Sequence, residues 1–188
     1  MTVHRARAGR WVAAAVLLGS SAGTAGLAAQ DAPQVAAEAK ALAAAREVAE
    51  AARFCSLITL DSSGHPRARI MDPFPPEEDF TVWLATNSRT RKVEQLESDG
   101  RATLFYFDRE GAGYLTLLGT AEVVRDPAEK ARRWKDTWSD FYEDGHRGED
   151  FVLIRFRPDR LEVMSIAHDV ASDPKGWKPA IIELGPRP

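Results

Sequence analysis

Cysteine is almost missing from this chain. Cys55 is the only one in 188 residues, which excludes an internal disulfide framework and any zinc site built on clustered thiolates. It falls in the apolar run Phe54–Leu60, where a small buried hydrophobe is expected, since free Cys is among the most buried residue types. Histidine is scarce as well. Beyond His4 there are only His65, His146 and His168, far apart and without ligand spacing, so no metal site is expected. No stretch reaches the roughly 20 apolar residues of a membrane span. No serine or cysteine stands in a nucleophile-elbow context, and no helix signal follows Gly111, Gly113 or Gly119. Those glycines therefore read as hairpin turns rather than a phosphate loop.

The first thirty residues differ from the rest. Arg5, Arg7 and Arg10 precede the apolar stretch Trp11–Gly19 and a small-residue tail, Ser20–Ala29. These are the three regions of a secretory signal peptide, with cleavage after Ala28 or Ala29; the rival reading is an uncleaved N-terminal anchor. The arginines are not paired as in a twin-arginine signal, and no cysteine marks a lipoprotein. The expected organisation is a leader over 1–29, a helical segment over 30–44 and one domain over 45–184, exported to the periplasm or secreted, with no membrane span after cleavage. The leader takes three of the 25 Lys+Arg and none of the 28 Asp+Glu, so 22 basic residues then face 28 acidic ones. Such an acidic chain is a poor nucleic-acid binder.

Helix formers dominate Gln34–Ala52, where Val35, Leu42 and Ala49 recur at a seven-residue spacing. This predicts a helix with a thin, mostly alanine stripe that packs loosely on the domain or a partner. Strand signals follow at Phe54–Asp61, Arg67–Met71, Phe80–Ala85, Ala102–Phe107, Tyr114–Val124, Phe151–Arg157, Arg160–Ser165 and Ala180–Leu184. Pro158-Asp159 reads as the turn of a strand pair. Helices are expected over Arg89–Ser98 and, capped by Asp126-Pro127, over Ala128–Tyr142, where Trp134 and Trp138 share a packing face. Short strands with inserted helices define an α+β protein on an antiparallel barrel.

The informative stretch is Thr86-Asn87-Ser88-Arg89-Thr90-Arg91-Lys92, at a strand-to-helix junction. Free N–H groups at a helix start attract an anion, and Arg and Lys add forked and point-charge donors. A solvated helix start with surface basics is the competing reading. Arg69, on a strand one hairpin earlier, adds a second basic element that can converge on the same place, as a dianionic ligand requires.

The order of these motifs is specific. Gly64-His65-Pro66-Arg67-Ala68-Arg69-Ile70-Met71 is followed by Trp83-Leu84-Ala85-Thr86-Asn87, Arg91-Lys92-Val93-Glu94-Gln95-Leu96, Ala102–Tyr106 and Tyr114–Glu122. The series resembles the pyridoxamine 5′-phosphate oxidase-like family of FMN-binding split β-barrels, Greek-key-like antiparallel barrels with inserted helices. The part from Trp134 to Ser165 resembles its general-stress-protein subgroup. The resemblance implies FMN, with Arg69, Ile70 and Met71 on the flavin-contacting strand. It puts Thr86 and Asn87 near the ring or ribityl chain, and Thr90, Arg91 and Lys92 at the phosphate. Tyr114 stands where the family often has a glutamine reaching the flavin from a neighbouring strand.

The resemblance also implies a homodimer with flavin in the groove between chains. Asp72-Pro73-Phe74 replaces the run to a lysine seen in the oxidase proper, and that enzyme's C-terminal substrate-grip motif is absent. FMN-dependent redox on an unassigned substrate is therefore expected, with no side chain assigned as catalytic acid or base. The alternative is a non-catalytic flavin or haem carrier, with His168 as the axial ligand in the haem version; a deazaflavin is the remaining cofactor option. Trp177 reads as an anchor for the C-terminal tail.

Overall fold

The computed structural model describes residues 24–171 and 173–185, with side chains from residue 32. The leader expected over 1–29 lies largely outside the described residues. Of the described residues, those up to Val35 form one unit and those from Ala36 form another; the site and core belong to the second.

Helix α1 (Thr24–Ala52) starts earlier than the expected Gln34 and contains Pro33. Its buried stripe is Ala41, Ala44, Ala45, Val48 and Ala49, the i, i+3, i+4, i+7 pattern of a core-facing helix, while Val35 is exposed. Loose packing was the expectation. Instead Ala45 and Val48 are fully buried in the core cluster, because small side chains let the helix approach closely. Lys40 to Asp169 at 3.1 Å and Glu47 to His168 at 2.6 Å fasten it to the turn around residue 168.

Seven strands follow: β1 (Cys55–Leu60), β2 (Pro66–Met71), β3 (Val82–Asn87), β4 (Arg101–Asp108), β5 (Gly113–Val124), β6 (Phe151–Ser165) and β7 (Ala180–Glu183). Every ladder is antiparallel, in the order β2-β1-β4-β5-β6-β3. β7 pairs with β6 beyond the stretch that pairs with β3. The sheet is not closed. Its edges β2 and β3 share no ladder; one bridge, Pro73 to Leu84, joins them, with Phe74 N–H donating to the Trp83 carbonyl at 2.8 Å.

Register decides which side chains share a face. Arg69, Leu57, Leu104, Leu117, Leu161 and Ile182 are successive cross-strand partners. The leucines of that row are fully buried. Arg69 is its outermost member, a cation at the open edge of an apolar row.

Two expected elements are corrected. Phe151–Arg157 and Arg160–Ser165 are one continuous strand, because β5 is long enough to pair with β6 from Leu153 through to Ser165, across the Pro158-Asp159 step. The register slips between Leu118 and Gly119, leaving Asp159 as a bulge residue whose carbonyl accepts the Leu184 N–H at 2.8 Å. Proline lacks a donor and is tolerated at such a bulge, so Pro158 punctuates nothing here. The helix expected over Ala128–Tyr142 is only α3 (Pro127–Arg132), capped by Asp126 through the Glu129 N–H at 2.9 Å.

Beyond α3 the chain coils through short 3-10 turns at Asp136–Trp138 and Gly145–Arg147. Trp134, Trp138 and Tyr142 all lie within 4.9–5.7 Å of the Phe151 ring, centroid to centroid. A straight helix would spread those positions over roughly 12 Å and could not bring all three onto one ring.

At the bulge the backbones crowd. A Cβ on Gly119 would stand 2.1 Å from the Arg157 carbonyl oxygen. Gly119→Ala is expected to lower stability by about 1–3 kcal/mol, read from the urea midpoint, as forced overpacking does. An unchanged midpoint would mean the β5–β6 register is not as described.

Candidate functional site

The polar end of the apolar row organises the site. Arg69 Nη1 donates to the Leu57 carbonyl at 3.1 Å and to Thr59 Oγ1 at 2.7 Å, and Nη2 donates to Gln95 Oε1 at 2.9 Å. Gln95 Oε1 also accepts from the Thr59 hydroxyl at 2.6 Å. One amide oxygen on helix α2 (Arg91–Ser98) thus fixes a strand hydroxyl and a guanidinium together. The Nε–H and one Nη2 hydrogen of Arg69 are left for another acceptor.

The β3-to-α2 turn is built by Asn87. Its Oδ1 accepts the Arg89 N–H at 2.9 Å, an Asx turn, and its carbonyl accepts the Thr90 hydroxyl at 2.8 Å. Thr90 therefore gives α2 no side-chain cap, and the first N–H groups of the helix keep their pull on an anion. Lys92 Nζ reaches back to Thr86 Oγ1 at 2.9 Å, and the Thr86 and Thr90 hydroxyls lie 3.4 Å apart. Val93 and Leu96 on the opposite side of α2 are buried, which anchors the helix and holds the basic side outward.

Three cations meet here without neutralisation. Burial and then the Arg91 charge push the Arg69 guanidinium below its ordinary value. Burial and then the Arg69 charge push the Lys92 ammonium down. Among the described residues, none of Arg69, Arg91 and Lys92 forms an ion pair with a carboxylate. Like charges held together in partly desolvated positions favour a bound anion.

An open cleft of about 380 Å³ adjoins this turn, lined by Asp72, Ala85, Asn87, Trp138, Phe141 and Tyr142. Of its aromatic lining, Trp138 and Tyr142 pack against a second apolar cluster built on Trp83, Phe151 and Leu153, while Phe141 is exposed. Burial and then Asp150 push the Tyr142 phenol up, so that it is a hydroxyl donor at neutral pH.

Of the residues predicted from sequence, the structure brings together Arg69, Thr86, Asn87, Thr90, Arg91 and Lys92. It does not bring three others to them. Met71 is 9% exposed in the core, while Ile70 lies on the outer sheet face, 68% exposed. Tyr114 also lies on that outer face, opposite Phe107 and 5.9 Å from the Phe105 ring. Thr59 and Gln95 were missed. Gln95 stands one helical turn after Lys92 and Arg91, a spacing that could have flagged it; Thr59 depends on strand register and carries no local signal.

His168 is saturated: Nδ1 lies 2.7 Å from Ser165 Oγ and Nε2 lies 2.6 Å from Glu47 Oε2. Cys55 is 1% exposed, and burial pushes its thiol up to about 12, so it is an inert core residue.

The chain belongs to the family described as pyridoxamine 5′-phosphate oxidase like, whose model matches residues 40–172. Solved structures share the fold at low identity. One is a Clostridium acetobutylicum protein related to general stress protein 26, 24% identical, covering 77% of this chain and 94% of its own, with a TM-score of 0.64. A heme-binding protein from Mycobacterium smegmatis is 20% identical, covers 77% of this chain and 58% of its own, with a TM-score of 0.57. A pyridoxamine 5′-phosphate oxidase-related, FMN-binding protein from Nostoc punctiforme is 16% identical, covers 82% and 97%, with a TM-score of 0.55. No curated protein matches the sequence.

Lys92 provides a direct check on the electrostatics. Its lowered pKa means that the charged ammonium costs folding stability at every pH below the folded value. That cost fades as pH rises through the folded value toward the unfolded one. Lysine Cε NMR titration is expected to find Lys92 deprotonating below the other lysines, and to find its midpoint rising when inorganic phosphate is added. A midpoint among those of the surface lysines, unmoved by phosphate, would remove the case for a desolvated cation cluster.

Proposed function

We propose that this protein is an FMN-binding oxidoreductase. The single observation that carries the reading is the cluster of Arg69, Arg91 and Lys92, unneutralised beside the Thr86 and Thr90 hydroxyls. A phosphate monoester matches it in charge and in number of acceptors. The aromatic-walled cleft at Asn87 suits a planar ring attached to that phosphate. Bound FMN would supply hydride and electron transfer. The chain's own residues bind and orient. Arg69 is preset by Thr59 and Gln95, Lys92 by Thr86, and the Tyr142 hydroxyl holds its proton at the cleft wall.

The working form in this reading is a homodimer. The outer sheet face carries Ile70, Phe107 and Ile181, each at least half exposed, and Tyr114 lies among them. A second copy covering that face would put its Tyr114 within reach of a neighbour's ligand, as this chain's own Tyr114 is not. The leader sequence supports action outside the cytoplasm. Haem is the weaker reading because both ring nitrogens of His168 are already engaged. A non-catalytic flavin carrier differs from the enzyme only in turnover.

The test is an absorption spectrum of the purified protein before and after incubation with FMN. A two-peaked flavin band that survives desalting is expected. Arg91→Ala/Lys92→Ala should weaken FMN binding about 100-fold or more, since each charge-assisted bond contributes about 1.5–3 kcal/mol. Steady oxidation of a nicotinamide or quinol donor then separates enzyme from carrier. A colourless protein that takes up no FMN would end the proposal.

A further inference from the structure

The coil after α3 brings aromatic rings and negative charge together. It supplies Trp138, Phe141 and Tyr142 to one wall of the cleft of about 380 Å³, while Ala85 and Asn87 of β3 supply another. Residues 136–150 also hold six carboxylates, Asp136, Asp140, Glu143, Asp144, Glu149 and Asp150, against one arginine, in a chain whose net charge is only −3. None of the six forms an ion pair among the described residues, whereas Asp61, Glu97, Asp99 and Glu129 each hold an arginine. Burial and then the Asp150 charge push the Tyr142 phenol up, so the acidic field is felt at the aromatic wall. The Asp150 carbonyl accepts the Ser88 N–H at 2.7 Å, which ties the coil to the β3-to-α2 turn.

The face of an aromatic ring is negative and attracts a cation. Lys135 already uses this property: its Nζ lies 4.7 Å from the Phe74 ring centroid and 5.1 Å from that of Trp138. Phe141 and Tyr142 carry no such cation among the described residues. Phe141 is 75% exposed, more than any other large hydrophobic residue described. A ring left bare among unpaired carboxylates is complementary to a positively charged ring, because stacking and charge then act together. A neutral ring gains nothing from those charges, and an anionic one is repelled. The concave shape selects a small molecule over the flat basic face of a protein.

We infer that the aromatic wall of this cleft binds a small planar organic cation, of the N-alkylated pyridinium or quinolinium kind. The cation stacks on Phe141 and Tyr142, and the surrounding carboxylates draw it in. In the flavin reading, Arg69, Arg91 and Lys92 hold the phosphate, and the cation is the class of substrate that meets the ring. That substrate assignment rests on the flavin reading; the binding itself does not.

The full chain is titrated calorimetrically, with and without saturating FMN, with 1-methylquinolinium, its neutral isostere 2-methylquinoline and the anion quinoline-2-carboxylate. Saturable one-to-one binding of the cation is expected, with the neutral isostere about tenfold weaker and the anion weaker still. Added salt should weaken the cation alone. Phe141→Ala, at an exposed position, should weaken the cation about threefold to tenfold. Asp140→Asn/Glu143→Gln/Asp144→Asn should weaken it about threefold or more and leave the neutral isostere unchanged. The inference is overturned by the absence of saturation up to about 10 mM cation, by the neutral isostere binding as well, by either variant keeping the parent affinity, or by FMN competing with the cation. Cation binding by a protein that takes up no FMN would end the flavin reading and the substrate assignment, and would leave the cation site established.

Discussion

The site depends on mutual repulsion that the fold does not relieve. Arg69 reaches it from β2, and Arg91 and Lys92 from the start of α2; added to burial, the Arg91 charge depresses the protonated form of Arg69 and the Arg69 charge that of Lys92. Surface cations normally find a carboxylate or spread into water. Here Arg69 is tied to a carbonyl, a hydroxyl and an amide oxygen. All of those are neutral, so its position is fixed without its charge being cancelled. This preset field is what an anionic group meets on arrival, and it needs little reorganisation to bind.

The rest of the architecture holds the cluster in place. Leu57, Leu104, Leu117 and Leu161 form the buried row that sets the register of β1, β4, β5 and β6. Arg69 inherits its position from that row, because its Cα partner is Leu57. A slip of one residue would turn Arg69 to the outer face and Ile70 inward. The long β5–β6 ladder carries β3 as well, and β3 delivers Thr86 and Asn87 to the turn. Core packing and ligand chemistry are thus set by the same strand pairings.

Much of this was legible in the sequence, for local reasons. Thr86, Asn87, Thr90, Arg91 and Lys92 lie within one strand–turn–helix passage, and Arg69 sits on an alternating strand. What was not legible required knowing which strands pair. Thr59 looked like one more β-branched residue, and Gln95 like one more polar helix position, until register set them against Arg69. Pro158-Asp159 resembled a turn because a bulge and a turn use similar residues; only the length of β5 separates them. The segment after Arg132 has a helical composition, but three aromatic contacts to Phe151 outweigh propensity.

The same logic explains why Tyr114 reads as a ligand contact in sequence yet faces away from the cluster in the chain. Strand alternation puts it on the outer face with Ile70 and Phe107, a face whose apolar residues are unusually exposed for a single chain. A residue can serve a site it cannot reach only if another copy carries it there. Two features that look unrelated in one chain, a stranded aromatic residue and an exposed apolar sheet face, would become one feature in the proposed homodimer. Each copy would then cover the other's apolar face and hand over its Tyr114. Disrupting the face, for instance with Ile181→Glu, would then be expected to weaken self-association and FMN retention together. Loss of self-association with FMN binding intact would show that one chain completes its own site.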